Sequence, residues 1–162
     1  MERNTSKTFK EAVESTPDTS MGYKNGLGAL GKNSSKIVVP DSRLLGGSVD
    51  IDNCTKSIYP DSSRWDYAID YDKEVFFIEV HPAQTCEIRT MINKLIWLKR
   101  WLKENAVEID KLKTRKVSPF FWLQTNGCAI PKNSPQYRAA ITAGLIPMAK
   151  WDYQLIMRKN KL

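Results

Sequence analysis

Asp66, Glu79 and His81 are the residues of this 162-residue chain whose types and spacing most readily support chemistry. They sit in Trp65-Asp66-Tyr67-Ala68-Ile69 and Val75-Phe76-Phe77-Ile78-Glu79-Val80-His81, two β-prone runs separated by a polar turn. His81 is the only histidine in the sequence. If the turn spans Asp70 to Lys73 and Ile69 pairs with Glu74, position 66 falls opposite position 77. Side-chain alternation then puts Asp66, Phe77, Glu79 and His81 on one face of a hairpin, with Phe76, Ile78 and Val80 on the other. An odd-length loop or a bulge would send Asp66 to the wrong face. Two carboxylates beside a phenyl ring are costly to ionise together, and a divalent cation would relieve that cost.

The surrounding charge suits a polyanionic partner. Residues 1–64 carry nine Lys/Arg and eight Asp/Glu, residues 65–82 carry one and five, and residues 83–162 carry fifteen and five. The corresponding net charges of +1, −4 and +10 place an acidic hairpin in a basic protein. Carboxylates that hold a metal and cations that attract phosphates are what phosphodiester chemistry requires. The alternative reading is a solvated basic surface that serves solubility.

The length is that of one domain, 1–162, and no apolar run approaches the ~20 residues of a membrane span. Met1-Glu2-Arg3-Asn4-Thr5 lacks a signal-peptide core, and Cys54, Cys86 and Cys128 show no CxxC spacing. These features lead to the expectation of a soluble, cytoplasmic protein with reduced thiols.

The elements that must position the cluster follow from periodicity. Thr8-Phe9-Lys10-Glu11 reads as a capping box opening a short helix that ends near Pro17 and carries Glu11 and Glu14. Residues 15–36 are rich in Gly, Ser, Thr and Asn and read as a flexible loop. Ile37-Val38-Val39 and Gly47 to Asp52 supply a strand before the hairpin. Ile88, Met91, Ile92, Leu95, Leu98 and Leu102 predict a helix from about Thr85 to Glu104, which leaves Arg89, Lys99, Arg100 and Lys103 for solvent or ligand. Phe120 to Gln124 reads as a strand, Gln136 to Ala143 as a helix capped by Ser134 and stopped by Gly144, and Lys150 to Met157 as a last strand. The expected fold class is α/β (α+β), a mixed sheet flanked by helices.

In this order of elements the residues resemble the PD-(D/E)xK, or restriction-endonuclease-like, nuclease superfamily over about Thr8 to Gln124. The resemblance implies an αβββαβ core with an added C-terminal helix and strand. Asp66 matches the Asp of the second strand, Glu79 the acidic residue of the third, and His81 stands where the family has Lys. It implies further that Asp66 and Glu79, with the Val80 carbonyl, bind one or two Mg2+ or Mn2+ ions. Glu14 would add a first-helix ligand, and Lys94 on the long helix would supply the missing cation.

Around that site, Arg89, Arg100, Gln124, Lys132 and Arg138 are the candidate nucleic-acid contacts, the last two beside the free amides that open the helix after Ser134. Trp97, Trp101, Trp122 and Trp151 read as core or homodimer-interface residues. Three functions stand as expectations. The first is a metal-dependent nuclease acting on DNA or RNA. The second is a non-catalytic nuclease-fold protein that binds nucleic acid or a protein. The third is a metal-independent ribonuclease using Glu79 and His81.

Overall fold

The computed structural model describes residues 6–159; the opening run Met1 to Thr5, read above for a signal peptide, lies outside them. Thr8 caps helix α1 (Phe9–Ser15), its hydroxyl oxygen accepting from the Glu11 N–H at 3.2 Å. The Glu11 carboxylate accepts from the same hydroxyl at 3.0 Å, which is how the capping-box pair is realised. The segment read as a loop contains strand β1 (Tyr23–Asn25) and a 3-10 stretch (Gly28–Lys36) that buries Leu30.

Strand β1 is held by close backbone approach. It pairs antiparallel with β3 (Leu45–Asp50), and a Cβ on Gly47 would run into the Tyr23 ring. Gly47→Ala is therefore expected to destabilise the protein by roughly 1–3 kcal/mol, because the ring must leave its place over the strand. A shift in the urea midpoint measures this, and Tyr23→Ala in the same chain should remove most of the penalty.

Strands β4 (Tyr67–Tyr71) and β5 (Glu74–Val80) form the hairpin. The turn is tighter than Asp70 to Lys73: Tyr71 pairs with Glu74, and only Asp72 and Lys73 are left in the loop, at φ 50° and 66°. Two successive left-handed residues make a type I′ turn, whose twist matches the strands. Tyr71 stays in the strand because its ring packs on Tyr153 and Trp151, with centroids at 4.5 and 6.4 Å. The register thus moves by two residues. Two is one full side-chain period, so Asp66, Phe77 and Glu79 still share a face.

The main sheet runs β1-β3-β4-β5-β6-β7, with β6 at Phe120–Leu123 and β7 at Pro147–Met148. Its first four strands are antiparallel, whereas β6 and β7 are parallel to β5, giving a mixed sheet. Val75 and Phe77 face a core built with α1 and with α3 (Ile88–Asn105), while Phe76 and Ile78 face a second core with Trp151. With both faces covered, β5 is apolar throughout its middle. Glu79 is therefore an acid in a strand that has no wet side.

On α3, Ile88, Met91, Leu95, Leu98 and Leu102 are buried as the periodicity requires. Three shorter helices complete the helical elements needed here: α2 (Ile51–Thr55), α4 (Val107–Asp110) and α5 (Pro135–Thr142). The Ser134 hydroxyl caps α5 by accepting from the Tyr137 N–H at 3.1 Å, and Gly144 at φ 76° follows its end.

The expected last strand is corrected. Only Trp151–Asp152 is extended, as β8, paired parallel with β2 (Ile37–Val38); Tyr153–Lys159 forms helix α6. The Asp152 carboxylate accepts from the Leu155 N–H at 3.2 Å, so it caps a helix where alternation suggested a strand. Among the described residues no helix is long and apolar enough to cross a membrane, and Cys54, Cys86 and Cys128 are free.

Candidate functional site

The site forms where β4 begins and β5 ends. Asp66 and Glu79 bond reciprocally across the hairpin: the Asp66 N–H donates to Glu79 Oε2 at 2.8 Å, and the Val80 N–H donates to Asp66 Oδ2 at 3.1 Å. Each carboxylate is thus fixed by the other's strand. Helix α3 returns over the hairpin and directs Lys94 at the pair, where its Nζ donates to Glu79 Oε1. A cation therefore reaches the acids from the helix rather than from position 81.

Burial governs the electrostatics. The Glu79 side chain is 0% exposed, and desolvation, reinforced by the Asp66 charge, pushes its pKa up to about 8 against the opposing pull of Lys94. Desolvation also raises Asp66, offset by Lys94 and by the Val80 amide. Two carboxyls that resist ionisation beside one ammonium would gain from a further positive charge.

His81 takes a different position from a lysine at the same place. Its Nε2 lies 2.7 Å from Glu87 Oε2, and its Nδ1 lies 3.8 Å from Glu79 Oε1. With Nε2 engaged by Glu87, Nδ1 is the ring nitrogen on the Glu79 side. The backbone is fixed on both sides: the His81 N–H donates to the Leu123 carbonyl at 3.0 Å, and the Trp122 indole donates to the His81 carbonyl at 2.9 Å. Glu87 is a member of the site that periodicity does not mark; its place three residues into the 3-10 turn that begins after Gln84 is the one available signal.

Glu14 does not join this cluster. It is exposed on α1, and its charge is felt at Tyr23 rather than at Asp66 or Glu79. The carboxylates that do bear on Asp66 are Asp52 and Asp50, both raising its pKa. Asp50 caps α2 by accepting from the Asn53 N–H at 2.9 Å, and Asp52 is paired with Arg64 at 2.8 Å. In the sequence they are marked only as the cap and first-turn acid of a helix, Asp50 ending β3 and Asp52 lying in the first turn of α2. Among the described residues, no three His, Cys, Asp or Glu side chains are grouped so as to hold a metal ion.

The remaining candidates do not bond Asp66, Glu79 or Lys94 in any contact of the cluster. Arg89 is exposed on a groove shared with Ile92, Asn93 and Gln136, and Arg100 pairs with Glu104 at 3.2 Å. Arg138 donates to the Asn133 carbonyl at 3.2 Å, and Lys132 is exposed. Gln124 is engaged through its backbone, its carbonyl accepting from Lys36 at 3.2 Å and its N–H donating to the Met148 carbonyl at 2.9 Å. Trp101, Trp122 and Trp151 are buried, whereas Trp97 is partly exposed. Comparison of the chain with protein-family models, with curated proteins and with solved structures gives no match.

Proposed function

We propose that this protein is a divalent-metal-dependent phosphodiesterase acting on nucleic acid in the cytoplasm. The observation that carries the reading is the convergence of Asp66, Glu79 and Lys94 at one end of the hairpin, in a chain whose residues 83–162 carry a net charge of +10. The donor set fits a hard cation, since it consists of two carboxylates whose ionisation burial opposes. Asp66 and Glu79 would hold Mg2+ or Mn2+, and backbone carbonyl, water and phosphate oxygens would complete the shell. The bound ion would supply Lewis acidity and an acidified water.

The chain's own residues would do the rest. Lys94 would shift from Glu79 toward the phosphate as the carboxylate takes on a cation, and would stabilise its developing negative charge. His81 Nδ1, 3.8 Å from Glu79 Oε1, would accept a proton from water with the ring in its Nε2–H tautomer. Glu87, 2.7 Å from Nε2, would favour that tautomer by accepting from it.

A second reading has its own support. Both Glu79 oxygens are already engaged by protein donors and, among the described residues, no third acidic side chain joins the pair, as suits a nuclease-fold protein that binds without cleaving. One assay separates the readings: incubation of labelled single- and double-stranded DNA and RNA with EDTA, Mg2+ or Mn2+. Metal-dependent products that disappear with EDTA are expected. Salt-sensitive binding without products under any metal would establish the non-catalytic reading, and RNA cleavage that survives EDTA would point to Glu79 and His81 acting without metal.

A further inference from the structure

One turn along α3 from Lys94 the helix presents Trp97, which is partly exposed and three residues away on the same side. Its ring stacks on Trp101 at 5.7 Å and 10°, and meets the Tyr59 ring edge-on at 5.9 Å. These aromatics are held in place. Asp18 accepts from the Tyr59 hydroxyl at 2.8 Å and from the Trp101 indole at 3.0 Å. They wall a cavity of about 260 Å3 whose rim carries Ser62, Arg100, Glu104 and Asn105.

The loop that contributes Tyr59 and Ser62 is tied to the Asp66 end of the sheet. Arg64 Nη1 donates to the Tyr59 carbonyl at 2.7 Å and to the Ser62 carbonyl at 3.4 Å, while its Nε pairs with Asp52 at 2.8 Å. The Ile51 and Asp52 N–H groups both donate to the Asp66 carbonyl, at 2.7 and 3.3 Å. The cavity and the Asp66–Glu79–Lys94 cluster are therefore parts of one framework, with Lys94 and Trp97 successive on a single helix face.

We infer that this cavity is a base subsite that takes an unstacked nucleobase of a single-stranded nucleic acid, next to the phosphate held at Lys94. The inference rests on the phosphodiesterase reading for that phosphate. Aromatic side walls offer stacking to any base, which is how single strands are held without sequence preference. The mixed donors and acceptors of the rim suit the polar edge of a base. The volume falls below the ~300–1,000 Å3 of sites that enclose drug-sized ligands, leaving room for one base rather than a whole nucleotide. A base inside a duplex is stacked on both faces and cannot enter without being extruded, so single strands, flaps and frayed ends are the substrate class.

The test is fluorescence-anisotropy binding of a labelled single-stranded DNA 8-mer in EDTA, alongside an 8-mer of abasic sugar-phosphate and a duplex. Trp97→Leu and the cavity-filling Ser62→Trp should each weaken the base-containing strand by roughly tenfold or more. Trp97→Phe should retain most of the affinity. The abasic strand should bind wild type weakly and be indifferent to Trp97→Leu. Equal affinity for base-containing and abasic strands, unchanged binding in both loss variants, or no binding of any strand would overturn the subsite. Ser62→Trp leaves the aromatic wall intact, so it decides the matter if Trp97→Leu does not fold. Base-dependent binding with no products in Mg2+ or Mn2+ would remove the phosphodiesterase reading and keep the subsite; metal-dependent cleavage with Trp97-independent binding would do the reverse.

Discussion

Lys94→Met is expected to cost roughly 1–3 kcal/mol of stability at pH 9.5 and, on the phosphodiesterase reading proposed above, to lower metal-dependent cleavage by roughly 10²–10³-fold. The stability loss follows from where the ammonium sits. Lys94 donates to a carboxyl that is 0% exposed, and removing it leaves Glu79 either neutral with one hydrogen bond unmade or, at high pH, charged without a partner. The loss in rate follows from taking away the cation aimed at the acidic pair, an effect comparable to deleting a preorganised transition-state donor. The pH dependence distinguishes this account from simple repacking. Without Lys94 the pKa of Glu79 moves further up from about 8, so the two proteins differ in Glu79 ionisation only above that pH, where wild type carries a paired carboxylate and the variant still holds the proton. Urea unfolding of wild type and variant should show a much smaller difference at pH 5.5 than at pH 9.5. An equal loss at both values would mean that Lys94 contributes through packing of its hydrocarbon stem alone.

How far the sequence revealed this site depends on which residues are governed by local periodicity. The pairing of Asp66 with Glu79 on one face could be read because side chains alternate, and even a register two residues off preserves the face. The long helix could be read because its apolar stripe is unbroken from Ile88 to Leu102. That Lys94 turns inward could not be read with the same force. It depends on the angle at which α3 returns over β5 after the 82–87 connection, and a lysine on a helix is ordinarily solvated.

Two misreadings have the same physical origin. Glu14 has a position in sequence that suits a ligand, but α1 leaves it exposed and its charge is felt at Tyr23. Residues 153–157 have strand-like composition, but one aspartate, Asp152, caps the following turn and tips the segment into a helix. In both cases a side-chain environment or a cap outweighed the pattern. The ordering of residues 23–36 was hidden for a related reason. Gly47 lets Tyr23 approach the sheet, and glycine in isolation reads as a signal for a loop.

The buried acids also predict that the protein loses stability as pH rises through neutrality, opposite to the usual trend set by paired carboxylates. Glu79 is raised to about 8 and Asp70 to about 6, each chiefly by burial, and Asp66 is raised for the same first cause. A carboxyl whose folded pKa lies above its unfolded value binds more protons when folded. Its favourable contribution is complete below the unfolded value, near 4, and is lost as pH climbs through the folded value. From these three groups stability should therefore fall between about pH 4 and pH 8, by an amount on the order of a few kcal/mol. Glu79→Gln should flatten most of the slope, since it removes the most strongly perturbed acid, while its absolute stability is also affected by the loss of one acceptor for Lys94 or for the Asp66 amide. A divalent cation that binds the folded state should counteract the same slope, stabilising wild type by about 2.7 kcal/mol at one hundred times its dissociation constant. The gain should be larger at pH 8 than at pH 5.5, because protons and metal compete for the same oxygens. Thermal melts with and without Mg2+ across this range measure both effects. A stability that rises steadily from pH 4 to pH 8 in wild type, with no flattening in Glu79→Gln, would show that Glu79 is ionised without strain where it sits, and would remove the electrostatic reason for a cation at the site.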